Sequence, residues 1–179
     1  MICLESKKEK SEIREWLESA AIAVVLALII KFFLFEFVLV DGASMFPTLH
    51  DGDRLIVNKL EYRLNNPQFQ DIIILEYNTE STHIEFVKRI IGMPGDTVAI
   101  RDSIVYINGT PLEEDYINTE AYPDYPEVIV PEGSYFVLGD NRNHSKDSRY
   151  EDVGFVEEDE IVGKVVYRVY PFEDFGKIK

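Results

Sequence analysis

Residues 20–40 read AAIAVVLALIIKFFLFEFVLV, twenty-one positions interrupted only by Lys31 and Glu36. No other feature constrains the chain so tightly, because a run of that length is sufficient to cross a hydrocarbon core. Its Leu, Ile, Val and Phe side chains contribute about −7 kcal/mol to insertion, against roughly 2.5–3.5 kcal/mol for a central charge and less for one near an end. Lys31 and Glu36 stand about 140° apart around a helix, so they cannot neutralise each other and are expected to snorkel toward the interface. A buried core helix would need the polar face that this run lacks. A cleavable leader would be shorter and would end in small residues instead of Phe, Val and Leu. The expectation is a cytoplasmic segment over residues 1–15, a single transmembrane helix over 16–40 and a body over 41–179. Lys7, Lys8, Lys10 and Arg14 precede the run, whereas only Arg54 and Lys59 follow it closely, which places the N-terminus in the cytoplasm and the body outside. Cys3 would then stay a free thiol on the reducing side.

The rest of the chain carries the charge. Of 33 acidic and 18 basic residues, residues 1–40 hold a nearly balanced share, so the surplus acidity is a solvated surface of the body. Such a surface repels phosphate backbones and excludes a nucleic-acid partner. One Cys and three scattered histidines exclude an internal disulfide and a closed zinc site. Neither a calcium loop nor a Gly-rich phosphate cradle is present, so no metal or cofactor is expected.

After Val40 the pattern changes to short β-rich runs at 54–60, 71–77, 84–91, 97–100, 103–107, 127–130, 134–139 and 161–170. Turn signals such as Asn65-Asn66-Pro67, Pro94-Gly95-Asp96, Asn108-Gly109 and Pro131-Glu132-Gly133 separate them. The fold class that follows is mostly β, an antiparallel sheet or partly open barrel behind one N-terminal helix, with a minimal inserted lobe around 97–130. The aperiodic acidic stretch 113–126 reads as a surface loop or small lobe. Asn108 and Asn143 head glycosylation sequons, but Asn-Gly after a strand is first of all a hairpin turn.

Three constellations carry chemistry. Gly42-Ala43-Ser44-Met45-Phe46-Pro47-Thr48-Leu49 begins two residues beyond the apolar run. A tether from Val40 to Ser44 spans at most about 14 Å, which keeps the Ser44 hydroxyl near the membrane, with Met45 and Phe46 at the same interface. In Phe86-Val87-Lys88-Arg89-Ile90-Ile91-Gly92-Met93-Pro94-Gly95-Asp96, period-2 alternation sets Lys88 with Ile84, Phe86 and Ile90, and Arg89 with Glu85, Val87 and Ile91. A lysine among apolar neighbours loses hydration of its charged form and becomes available as a neutral base; a snorkelling edge-strand lysine would show the same alternation. Arg89 has Glu85 as its nearby acid. The third constellation, Gly139 to Arg149 (GDNRNHSKDSR), is a dense polar loop after an apolar strand, in which Asp147 and Arg149 can form an ion pair.

In this order behind one spanning segment, SMFPTL, VKRIIGMPGD and GDNRNHSKDSRY closely resemble the type I signal peptidases, membrane-bound serine proteases with a Ser and Lys dyad. The resemblance implies Ser44 as nucleophile, Lys88 as general base, Ser145 as the hydroxyl orienting the lysine, and Asp147 with Arg149 as a structural pair. It implies removal of signal peptides from exported preproteins after small residues at −1 and −3, with Val40, Met45, Leu49, Phe86 and Val87 as candidates to line the pockets. It also implies a cell membrane location, with the bilayer as a second partner. The chain departs from some members at Gly42, where they carry a serine. The oxyanion hole would then rest on backbone amides, Ser44 foremost and Gly42 beside it. Phe69-Gln70-Asp71 also stands where relatives often show Arg-Gly-Asp. A Ser and His dyad through His83 or His144 is the rival within enzymes, and a tethered peptide-binding β domain the rival outside them.

Overall fold

Strand-forming runs bounded by turns give an almost wholly antiparallel β body behind one long helix. The computed structural model describes residues 5–79, 82–117 and 122–178. Helix α1 spans Glu5–Phe33. Among the described residues no helix is long and apolar enough to cross a membrane; the side chains of residue 27 and of 29–33, Lys31 included, lie outside the described set. The described side chains between Trp16 and Leu28 are exposed all round the helix.

The apolar run is not one element. Strand β1, Phe35–Leu39, pairs antiparallel with β2, Arg54–Asn58, with Phe35 opposite Asn58 and Leu39 opposite Arg54. The helical segment expected to reach Val40 therefore ends at Phe33, and the body begins at Phe35 instead of Asp41. Hydropathy cannot distinguish a lipid-facing helix from an edge strand, and Phe and Val suit a pleated surface that is exposed on one face. Glu36 does not snorkel, since its carboxylate meets Lys59 Nζ at 2.9 Å.

The remaining elements follow in order: helix α2 (Glu61–Leu64), β3 (Ile72–Thr79), β4 (Thr82–Gly92), β5 (Thr97–Arg101), β6 (Ile104–Ile107), β7 (Thr110–Pro111), β8 (Tyr125–Ile129), β9 (Ser134–Leu138), β10 (Val156–Glu157), β11 (Ile161–Tyr170) and β12 (Gly176–Lys177). One sheet runs β1-β2-β11-β3-β4-β9-β10 with β12 on β11, and a second runs β7-β6-β5-β8. The path of the first sheet is open, with β1 and β10 at its ends. The turn between β6 and β7 has positive φ at Asn108 and Gly109 (53° and 76°), as a two-residue type I′ hairpin requires.

β9 is buried at all five positions because it separates two cores. Its alternation sends Phe136 and Leu138 into a cluster with Val98, Ile100 and Val105 from the second sheet, and Tyr135 and Val137 into a cluster with Ile73, Leu75 and Ile90. A third cluster gathers Val40, Met45, Leu49, Leu55, Val57, Ile72, Ile74 and Val165. The polar loop that follows β9 therefore leaves a strand held on both faces. The acidic stretch read as a surface loop or small lobe is anchored inward, since Tyr122 is buried and Tyr116 packs against the β9 cluster. Residues 118–121 lie outside the described residues.

Candidate active site

Ser44 sits in the turn that follows β1. Val40 N–H donates to Asp53 O at 2.8 Å and Gly52 N–H to Val40 O at 2.9 Å, fixing where the turn begins. Met45, expected at the membrane interface, is 1% exposed; it and Leu49 root the turn in the core beneath Ser44, while Phe46 stays outside. From the opposite side, Asn141 N–H donates to Ser44 O at 3.0 Å and Asn141 Nδ2 to Ala43 O at 3.0 Å. The backbone of Ser44 is thus clamped by the polar loop after β9.

Lys88 reaches this turn from β4, where Ile73 is its partner across the ladder. It is 2% exposed. Its Nζ donates to Ser44 Oγ at 3.0 Å and to Val87 O at 2.8 Å, and lies 5.0 Å from the Phe86 ring centroid. Burial strips hydration from the ammonium and pushes its pKa down to about 8, while Asp147 and Asp140 partly oppose the shift. An amine with that pKa is neutral in an appreciable fraction near pH 7 and can accept a proton from a hydroxyl at hydrogen-bond distance.

Ser145 is buried beside Ser44, but among the described residues its Oγ has no hydrogen-bond partner, so the expected contact with Lys88 is not made. Gly139 explains how closely these groups pack. A Cβ built there would stand 2.2 Å from Ser145 Oγ and 2.5 Å from Ser44 O, so only glycine lets the loop bring both serines to one point. Asp147 and Arg149 form a bidentate pair at 2.7 and 2.9 Å. Asp147 also accepts from Gly139 N–H at 3.1 Å, tying the pair to that same glycine.

Gly42 is placed differently from the expectation. Its φ is +93° and its N–H donates to Asp51 Oδ1 at 2.8 Å, so that amide is turned to Asp51 in this structure. A small cleft of about 120 Å³ opens beside Ser44 and Lys88, and Val40, Met45, Phe86 and Val87 are also among its lining residues. Leu49, the remaining pocket candidate, lies in the core under the turn. His144 is exposed and its Nδ1 stands 3.2 Å from Asn141 Oδ1; the side chain of His83 lies outside the described residues.

A family model described as signal peptidase, peptidase S26, matches residues 13–170. The chain belongs to this signal peptidase family. Relatives include signal peptidase I T of Bacillus subtilis (strain 168), 42% identical over 97% of this chain and 94% of its own length, and signal peptidase I of Bacillus licheniformis, 41% identical over 96% of each. A probable signal peptidase I-1 of Synechocystis is 39% identical over 93% of this chain and 87% of its own. A crystal structure of a signal peptidase I from Enterococcus faecalis V583 covers 56% of this chain and 97% of its own, at 39% identity and a TM-score of 0.46.

Two buried ion pairs support this signal peptidase site, and the sequence did not indicate either. Arg89, with Glu85 four positions back along β4 and about 13 Å away, reaches across to the loop after β9. It grips Asp140 at 2.9 and 2.7 Å and lies 4.0 Å from the Tyr116 ring centroid. Arg142 pairs with Glu114 from the acidic stretch and donates to Gly139 O at 3.1 Å. The one available hint was the placement of five charged residues in a loop that leaves an apolar strand.

Proposed function

We propose that the protein is a membrane-anchored serine endopeptidase that removes N-terminal signal peptides from exported preproteins. The observation that carries this reading is the 3.0 Å contact between Lys88 Nζ and Ser44 Oγ at a buried amine whose pKa is pushed down to about 8. Neutral Lys88 takes the Ser44 proton as Oγ attacks the scissile carbonyl. The protonated amine then gives that proton to the leaving amine, and the ester is hydrolysed by a water that the same base activates. Ser145, whose buried hydroxyl stands unpartnered beside the dyad, is the group that orients Lys88 once a substrate closes the cleft. The Ser44 amide faces the developing oxyanion, with a second donor other than Gly42.

The substrate enters as an extended strand, so the residues one and three before the cut point the same way. A cleft of about 120 Å³ walled by Val40, Met45, Phe86 and Val87 suits small side chains there. The sequence of residues 16–33 and the exposed apolar side chains described between Trp16 and Leu28 support the helix as the anchor, with residues 1–15 in the cytoplasm and the body outside. Exposed Phe37, Leu39 and Phe46 would then lie toward the bilayer. The test is incubation of the detergent-solubilised protein with a preprotein, reading the new N-terminus by mass spectrometry. Cleavage after a small residue that Ser44→Ala and Lys88→Arg both abolish is expected; cleavage by a folded Lys88→Arg would refute the dyad.

A further inference from the structure

Among the described residues that line the cleft Phe86 is the one aromatic, and it is only half-buried, so its own packing in β4 does not fix its ring. What stands behind it is Tyr77 of β3. The two rings are stacked, with centroids 4.9 Å apart and planes 16° from parallel, and Lys88 Nζ lies 5.0 Å from the Phe86 ring centroid. Tyr77 is itself held at its far end. Its hydroxyl donates to Asp152 at 2.9 Å and accepts from Lys146 Nζ at 3.0 Å, while Lys146 lies 4.6 Å from its ring centroid. Lys146 is the residue after Ser145, so the loop that carries one flank of the dyad also holds the support of the cleft wall.

We propose that Tyr77 is a specificity-determining residue, which acts by holding the Phe86 ring as the wall that limits the side chain admitted just before the cut. The inference rests on the peptidase reading above. Stacked aromatic pairs gain attraction beyond their buried area, and a half-exposed ring deprived of its partner recovers rotamer freedom. The Lys146–Asp152 pair is largely exposed and contributes little by itself; the stacked ring is what holds the wall. Without Tyr77 the Phe86 ring can swing outward over the vacated space. The cleft then widens where Val40, Met45 and Val87 leave an apolar lining, and larger apolar residues are admitted. Room for one or two further methylenes in such a pocket changes relative turnover by roughly 10- to 200-fold.

The test uses the full chain in detergent and a mixture of peptides identical except for Ala, Val, Leu or Phe at the position before the cut, with products counted by mass spectrometry. The quantity read is the Leu-to-Ala ratio of kcat/KM, which does not depend on how much enzyme is folded. Tyr77→Ala and Tyr77→Leu are expected to raise that ratio about tenfold or more, Phe86→Ala to raise it at least as much, and Tyr77→Phe, which keeps the stack, to leave it at the wild-type value. An unchanged ratio in both Tyr77→Ala and Tyr77→Leu overturns the proposal, as does relaxation in Phe86→Ala alone or equal relaxation in Tyr77→Phe. A wild-type enzyme that cuts none of the peptides and no preprotein would instead overturn the peptidase reading itself.

Discussion

Replacing Lys88 by Met should stabilise the fold at neutral pH, and the size of the effect should depend on pH in a defined way. The folded-state pKa of about 8 lies below the value of about 10.4 that lysine has in an unfolded chain. Below pH 8 both states hold the proton and the full cost of burying the charge is present, on the order of 3 kcal/mol at about 1.4 kcal/mol per tenfold. As pH rises through 8 the folded amine becomes neutral while the unfolded one remains charged. The unfolded state then binds more protons, and wild-type stability rises until both are neutral. Methionine never carries the penalty, but it forfeits the hydrogen bonds to Ser44 Oγ and Val87 O, each worth about 1 kcal/mol net. The variant should therefore be roughly 1–2 kcal/mol more stable near pH 7, and that advantage should shrink by roughly 2 kcal/mol by about pH 9.5. Urea unfolding of the full chain in a mild detergent, followed by tyrosine circular dichroism at several pH values, measures the difference between the two proteins and cancels every other titrating group. A difference that stays flat from pH 7 to 9.5 would refute the argument that burial depresses the Lys88 pKa.

Further expectations follow from the same geometry. The wild type's kcat/KM should rise with pH through an apparent pKa near 8 and then level off, while folded Lys88→Arg and Ser44→Ala lose essentially all turnover; peptide cleavage from pH 6 to 10 measures both. Gly139→Ala places a methyl against Ser145 Oγ and Ser44 O and should cost about 1–3 kcal/mol of stability by overpacking and about a hundredfold in kcat by shifting the serines. Gly42→Ala meets no neighbouring atom and carries only the cost of its positive φ, about 1–3 kcal/mol, so denaturant midpoints and kcat should separate the two glycines. Asp140→Asn leaves the Arg89 guanidinium buried without its counter-charge and should cost about 3–5 kcal/mol, read as a lowered thermal midpoint. Arg149→Met removes the partner of Asp147 and should move the kinetic pKa of Lys88 upward, whereas Arg149→Lys should move it less.

Much of the body was legible because its signals are local. The run 161–170 is β11 residue for residue, and Asn108-Gly109 turns the hairpin it suggests, since both depend on side-chain alternation and on the freedom to adopt positive φ. The juxtaposition of Ser44 and Lys88 was reached through the motifs, with alternation unable to decide between a base and a snorkelling cation. What escaped depends on partners distant in the chain. Phe35–Leu39 is as apolar as the helix before it, and only the open edge of β2 makes it a strand. Met45 belongs to the core because Leu55 and Val57 lie beneath it. Glu114 and Tyr116 belong to an aperiodic acidic segment whose role appears only once Arg89 and Arg142 have been buried beside it.

Those two arginines bear directly on the lysine. Lys88 and Arg89 are neighbours in one strand and both are almost completely buried, at 2% and 1% exposure, yet the pleat delivers them to opposite environments. Arg89 meets Asp140 in a bidentate pair; Lys88 meets a hydroxyl and a carbonyl, neutral groups that do not balance its charge. A protein of net charge −15 would ordinarily hold any lysine protonated, and the carboxylates of Asp140 and Asp147 are the ones that pull Lys88 in that direction. Each, however, is bound face to face by its own arginine, Arg89 for Asp140 and Arg149 for Asp147. Paired in this way, the carboxylates shape the loop around Gly139 while presenting much of their charge to a guanidinium instead of to Lys88. Desolvation then outweighs attraction at Lys88, which forms no ion pair among the described residues, so the ion pairs that organise the site also leave this amine able to lose a proton.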